Sequence, residues 1–314
     1  MPLKRQAVIT ALLVFALGAE LAAQPTPAAS QPSEPVAYPT LRKFSSAQEA
    51  LRYVLRRKPA LIGVGEYHQK HESVRVASSL RRFTRELFSR LLDRRTSDLV
   101  IETWITKGDC GSSEKAVVKD VEETTKRPAQ TEDEILTLVK RARHKLVKPH
   151  ILEMTCADYR RLLSGQEGVN YDTFLKMTAD QLREKLLAIH HVRSDPIKRA
   201  VEDASVAMWR GKGDRGRRDL VLAYGGALHN DRYPTTGIEH YSYGPAMIKA
   251  LGDRYLELDL FVPEYIEGDQ TLLQKQAWFA PFLKQQSRRK VLLFERAKNA
   301  FVLIFKRQRK SRSK

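Results

Sequence analysis

The sequence predicts an α/β fold: a mostly parallel central sheet flanked by helices, with a helical insertion and a C-terminal β-hairpin. Two observations predict it. Short apolar runs end in glycine, glutamate or cysteine, and between them lie stretches whose apolar residues recur every three or four positions. Strand, helix, strand in that order builds parallel pairs through crossover connections. Such units assemble into one sheet with helices on both sides.

The first strand is predicted at Ala60 to Val64. Ser73 is placed to cap the next helix, whose residues Val76, Leu80, Phe83, Leu87 and Leu91 share one face. Asp98 to Ile101 reads as a buried strand. Thr131 and Glu134 have capping-box spacing ahead of Ile135, Leu138, Ala142 and Leu146, and Pro149 is expected to stop that helix. His150 to Met154 is the third strand. Thr178 with Gln181 predicts a cap before Leu182, Leu186 and Ile189. Asp195-Pro196 opens another helix, which runs to Trp209 and ends at Gly211, Gly213 and Gly216. These helices make the insertion, about residues 172–212. Asp219 to Tyr224 is the fourth strand, and Pro245 begins a short helix that Gly252 ends. In Tyr255 to Val262, Leu256, Leu258 and Leu260 alternate with Glu257 and Asp259, the pattern of a strand with one wet face. Val291 to Phe294 and Ala300 to Phe305 read as the closing hairpin.

The ends of the chain are of a different kind. Lys4 and Arg5 precede an apolar run from Ala7 to Leu17, and small residues follow at Ala22 and Ala23. That order describes a secretory signal over residues 1–23. The run is shorter than the roughly 20 apolar residues that span a bilayer. Residues 24–40 are rich in Pro, Ala and Ser and read as an extended linker. The α/β domain is expected over 41–305, with a basic tail at 306–314. The chain carries a net charge of +18, which draws it to polyanions. Given export, these are anionic envelope surfaces, met through the tail. No zinc-finger spacing and no RNA-recognition signature supports a nucleic-acid partner. Cys110 and Cys156 are too few and too far apart for a disulfide framework or a metal site. Each follows a predicted strand, so both are expected at one end of the sheet. There an oxidising compartment allows them to bond.

Ligand sites in such sheets lie beyond the carboxyl ends of the strands. The first strand runs into Gly65-Glu66-Tyr67-His68, the second into Glu102, and the fourth into Gly226-Ala227-Leu228-His229. Two Gly-x-x-His turns and a glutamate therefore meet at one edge. Glycine permits a sharp turn or a close approach, and the histidines can point into a shared cleft. Glu66 is read as base or ligand, His68 as base or ligand, Glu102 as an orienting carboxylate and His229 as a stabiliser. A divalent metal held by Glu66, His68 and His229 is one form of this site, because a bound cation lowers the pKa of water. No Gly-x-Ser-x-Gly is present, which argues against a serine hydrolase.

These residues, together with Leu99-Val100-Ile101-Glu102, resemble the superfamily of erythromycin esterases, ChaN haem-binding proteins and TraB/TIKI hydrolases. The resemblance covers about residues 58–104 and 218–231. It implies that Glu66, His68, Glu102 and His229 inherit the family's site, with Arg75 or Arg82 as its basic residue. It further implies a hydrolase that uses activated water, with or without a metal, on a small-molecule or peptide substrate carrying an ester or amide bond; the N-terminal signal makes that hydrolase an exported one. The alternatives are an envelope protein that binds haem or a metal ion without turnover, and a degenerate relative that only binds a partner. Export makes a first prediction: the mature chain begins near Gln24. Mass spectrometry of the native protein should find that terminus, and an intact Met1 or Pro2 end would overturn it.

Overall fold

The computed structural model describes residues 8–9, 39–68, 76–92, 96–128, 130–164, 168–210, 219–268, 270–285 and 290–308. Most of the expected signal and linker, Ser73, Arg75, the glycines at 211, 213 and 216, and the tail beyond 308 lie outside these residues. The fold is α/β, as expected. Eight strands form one mixed sheet: β1 (Thr40–Phe44), β2 (Leu61–Glu66), β3 (Thr96–Lys107), β4 (Lys148–Thr155), β5 (Leu220–Gly226), β6 (Tyr255–Phe261), β7 (Val291–Ala297) and β8 (Ala300–Ile304). Their order is β4-β3-β5-β2-β6-β8-β7-β1. Every pair from β4 to β8 is parallel. The β7–β8 hairpin and its pairing with β1 are antiparallel. A two-residue strand, Val8–Ile9, pairs with Ile105 and Trp104 on β3. Strand β1 begins at Thr40, inside the expected linker, and was not anticipated.

Helices cover both faces. On one lie α1 (Ala47–Leu55), α2 (Ser79–Arg82), α3 (Phe88–Leu92) and, after α4 (Gly111–Thr125) on the other, α5 (Gln130–His144). A π-helical segment, Phe83–Leu87, joins α2 to α3. The opposite face carries α4, α6 (Cys156–Leu162), α7 (Tyr171–Ser194) and, beyond α8 (Pro196–Arg210), α9 (Gly244–Leu251). Helices α10 (Pro263–Gly268), α11 (Gln270–Leu273) and α12 (Phe279–Gln285) return to the first face. Ile62 and Val64 of β2 join the first core, where the Phe83 ring lies 4.8 Å from that of Tyr224. Burying one such aromatic contributes about 2–3 kcal/mol. No helix among the described residues is long and apolar enough to cross a membrane.

Several local expectations are corrected. Ser78 caps α2 through its hydroxyl, which accepts from the Arg81 N–H. Thr131 lies inside α5, its hydroxyl donating to the Pro128 carbonyl at 2.7 Å. That helix ends at His144, and Pro149 is a residue of β4. Thr178 is interior to the single 24-residue helix α7, which Asn170 caps. A side-chain hydroxyl can satisfy a carbonyl four residues back as readily as it caps, and Thr178 does so with Phe174. Asp195 does cap α8, accepting from the Ile197 and Lys198 N–H groups.

The largest correction concerns β6. Glu257 and Asp259 face no water; both are buried. Glu257 accepts from the Arg296 guanidinium at 2.6 Å and from the Arg232 N–H at 2.7 Å. Asp259 accepts from the Asn230 amide at 3.0 Å. Alternation marks two faces but does not say what covers each, and here the 227–243 loop covers the polar one.

Cys110 and Cys156 are bonded, with Cα atoms 4.9 Å apart. The bond ties the loop after β3 to the start of α6. It closes a separation of 46 residues, which in the chain-entropy model contributes about 4 kcal/mol. Titration of the unfolded, unreduced protein should find no free thiol. Reduction should lower the urea midpoint by an amount of that order.

Candidate functional site

The four expected residues converge at the carboxyl edge of β2, β3 and β5. Glu66 ends β2, level with Gly226 of β5. Glu102 sits where β3 breaks register with β4, between Ile101 and Trp104. The strand continues to Lys107 rather than ending at Glu102, so a bulge-like irregularity aims this carboxyl. Such irregularities are common beside sites. His68 follows β2, and His229 lies in the turn after β5.

Of the two expected uses of glycine, close approach is the one seen. Neither Gly65 nor Gly226 has a positive φ, but Gly65 and Gly225, the residue before Gly226, lie against other side chains. Each leaves room for a neighbouring side chain. A Cβ on Gly225 would collide with the Glu102 carboxylate, and one on Gly65 with Asp259 and Asn230.

Two groups of side chains form around that edge. In the first, His68 Nδ1 lies 2.7 Å from Glu66 Oε1. The Arg127 guanidinium donates to the same oxygen at 3.0 Å and also touches His68 Nδ1. The Tyr224 hydroxyl donates to Glu66 Oε2. In the second, Glu102 Oε2 accepts the Gly226 N–H at 2.8 Å, and Glu102 Oε1 lies 3.5 Å from His229 Nε2. His229 Nδ1 is 2.7 Å from the Tyr241 carbonyl. A carbonyl only accepts, so Nδ1 carries the proton and Nε2 the lone pair. The Glu66 carboxylate favours the same tautomer of His68; the Arg127 guanidinium, which only donates, then meets Nδ1 without a hydrogen bond.

Burial and partners then set the charges. Burial pushes the Glu66 carboxyl up, but His68, Arg127 and Tyr224 together hold it down, at about 2. Burial, with Arg127 alongside, pulls His68 down to about 4. Burial alone pulls His229 to about 4 against the Tyr241 bond. Glu102 is pushed well above the usual carboxyl range by burial, with the Glu66 charge adding to it. At neutral pH the site therefore holds an anion at Glu66, a cation at Arg127 and two neutral imidazoles, while burial shifts Glu102 towards its protonated form. Burial and partners have driven the two carboxyls apart.

Several buried atoms have no hydrogen-bond partner among the described residues: His68 Nε2, Glu102 Oε1, and Arg127 Nε and Nη1. They offer a lone pair, an acidic hydroxyl and two cationic donors. As placed, the donors do not fit a divalent metal. The Arg127 guanidinium already lies on both Glu66 and His68, and His229 faces Glu102. No group of three or more His, Cys, Asp or Glu among the described residues is arranged for a metal ion.

Arg127 was missed by the sequence reading, and Arg82 is not in the site. Arg82 bonds Glu86 at 3.0 Å and the Lys306 carbonyl at 2.7 Å, and lies over the Phe305 ring. Arg127 arrives because Lys126, in the left-handed region at φ 46°, ends α4 and turns the chain back. A charged residue at a helix end carries no one-dimensional sign of this. Tyr224, expected as the end of the fourth strand and an apolar or weakly ligating neighbour of the site, bonds Glu66 directly.

These charges predict a pH dependence. His68 and His229 bind a proton less readily folded than unfolded, so stability falls as pH drops from about 6.5 towards 4, by on the order of 3 kcal/mol for each. Glu66 adds loss of the same sign below about 4.5. Glu102 acts oppositely: its raised pKa removes stability as pH climbs above about 4.5. Glu102→Gln should therefore raise the denaturation midpoint at pH 7 and change it little at pH 4. A Gln variant less stable than the parent at pH 7 would mean that the carboxyl is ionised there.

Comparison with known proteins adds little. No family model matches the chain, and no curated protein matches it. A solved structure of a Bacillus cereus protein is similar at 13% identity, over 69% of this chain and 70% of that one, with a TM-score of 0.30. At that level the likeness carries no argument about fold or function.

Proposed function

We propose that the chain is an exported hydrolase in which His68 activates water for attack on an ester or amide carbonyl. The observation that carries this reading is the pair of unpartnered buried atoms, His68 Nε2 and Glu102 Oε1, one a base and the other an acid. His68 Nε2 takes a proton from water as its oxygen bonds to the carbonyl carbon. Glu66, on the far side of the ring, holds the tautomer and stabilises the imidazolium. The unpartnered donors of Arg127 receive the developing oxyanion. Glu102 then gives its proton to the leaving oxygen or nitrogen as the carbon–heteroatom bond breaks. His229 Nε2 orients that proton. Proton exchange from His68 to Glu102 restores the starting state.

The Cys110–Cys156 bond supports export, because structural disulfides persist in oxidising compartments. The basic C-terminal tail would hold the protein near an anionic envelope surface. The haem or metal reading would need His68 and His229 as ligands. The guanidinium beside His68 opposes a cation there, so the metal-free scheme is preferred.

The test is turnover on a panel of chromogenic esters and anilides. His68→Ala should lower kcat by about 10²–10⁴-fold with an unchanged circular dichroism spectrum. Unchanged turnover in that variant would remove His68 as the base. A stoichiometric Soret absorbance in the purified protein, lost in His68→Ala, would replace hydrolysis with haem binding.

A further inference from the structure

Helix α8 is turned inside out. A surface helix normally points its apolar stripe at the core and its charges at water. The stripe of α8 is Ile197, Ala200, Val201 and Ala204, the i, i+3, i+4, i+7 spacing of one helical face. All four are exposed, Ile197 by 77% and Val201 by 65%. Every other large apolar side chain among the described residues is less than half exposed.

The acidic residues of α8 are what hold it to the fold. Arg193 of α7 lies 3.3 Å from Glu202 and 2.9 Å from Asp203, and is itself tied to the buried Asp98 at 3.1 Å. Lys148, at the start of β4, reaches Glu202 at 3.4 Å. None of residues 196–204 joins either apolar core. Ion pairs thus fasten the helix, and its apolar stripe is left facing outward.

The size and charge of that stripe select its occupant. Two branched side chains and two alanines fall far short of the roughly 800 Å² that each partner buries in a stable protein interface. The chain carries +18, so a second copy would also be repelled. A lipid surface asks for less: a few apolar side chains dipping into the headgroup boundary, with basic residues alongside to meet anionic lipid. Asp195, Glu202 and Asp203 are each paired with a lysine or arginine. The excess charge is basic. Arg199 lies within the span of the stripe, and the sequence that follows carries Arg210, Lys212, Arg215, Arg217 and Arg218 against Asp214.

We infer that the exposed face of α8 docks on an anionic lipid surface, with Ile197 and Val201 inserted at the headgroup boundary. This contact is distinct from the C-terminal tail, residues 306–314, which is charged but has no apolar residue. It also stands apart from the hydrolase reading, since it uses none of the residues at the sheet edge.

Flotation of the full chain with vesicles tests the inference. Vesicles of phosphatidylglycerol and phosphatidylcholine in equal parts should bind the parent, and vesicles of phosphatidylcholine alone should bind it far more weakly. Ile197→Ser combined with Val201→Ser should weaken binding to the mixed vesicles by at least about tenfold, with an unchanged circular dichroism spectrum. Leu136→Ser, a change at an exposed leucine of α5, should leave binding as it was. In a chain lacking residues 309–314 the double substitution should cost a similar factor. Absence of binding to the mixed vesicles, equal binding to both kinds, or binding that survives the double substitution overturns the inference. So does a parent that sediments as a dimer and a double variant that sediments as a monomer, because a second copy would then cover the stripe.

Discussion

The buried ion pair between Glu66 and Arg127 is the interaction on which the site depends. Both side chains are almost fully enclosed. Either charge left alone there would be strongly destabilising. Paired, they fix a negative charge at the end of β2 and a positive one over the sheet edge. The cation beside His68 opposes a second positive charge on that ring. The anion beside it orients the ring so that Nε2 faces the cleft. Glu102 has no directly bonded cation, so burial favours its protonated form. One guanidinium thus separates two neighbouring carboxyls into an anion and an acid.

Backbone space is the second constraint. Glu66 and Tyr224 project from one face of the sheet, and Glu102 lies over Gly225 on the other. They come near one another where β2 and β5 end and β3 breaks register. The loop carrying His229 is pinned from beneath by a second polar layer. The Asn230 amide donates to the Gly63 carbonyl at 3.1 Å and to Asp259, and the Ser242 hydroxyl donates to the His229 carbonyl at 2.9 Å. Glu257, Asp231 and Arg296 extend that layer away from the cleft. Such outer contacts hold reacting side chains to the narrow tolerances that catalysis requires.

The disulfide belongs to the same construction. Cys110 immediately precedes α4, and Arg127 hangs from that helix's other end, just past the Lys126 cap. Fixing the start of α4 to the start of α6 restricts where its end can lie. A covalent tie at one end of a helix thereby steadies a charge at the other.

The sequence by itself determined the fold class and the polar strand ends. Apolar runs and helical spacing reflect local burial, which neighbouring residues report. Glu66, His68 and His229 were legible for that reason, since polar residues after buried runs tend to sit at a sheet edge; Glu102 was legible as a polar residue closing an apolar run, although its strand continues to Lys107. The sequence also placed both cysteines at one end of the sheet, but only the tertiary structure decided that they meet. Tertiary structure alone brought Arg127 into the site, sent Arg82 to Phe305, and buried Glu257 and Asp259. The physical reason is common to all three. A side chain's surroundings depend on segments distant in the chain, and periodicity records only which face a residue takes, never what covers that face.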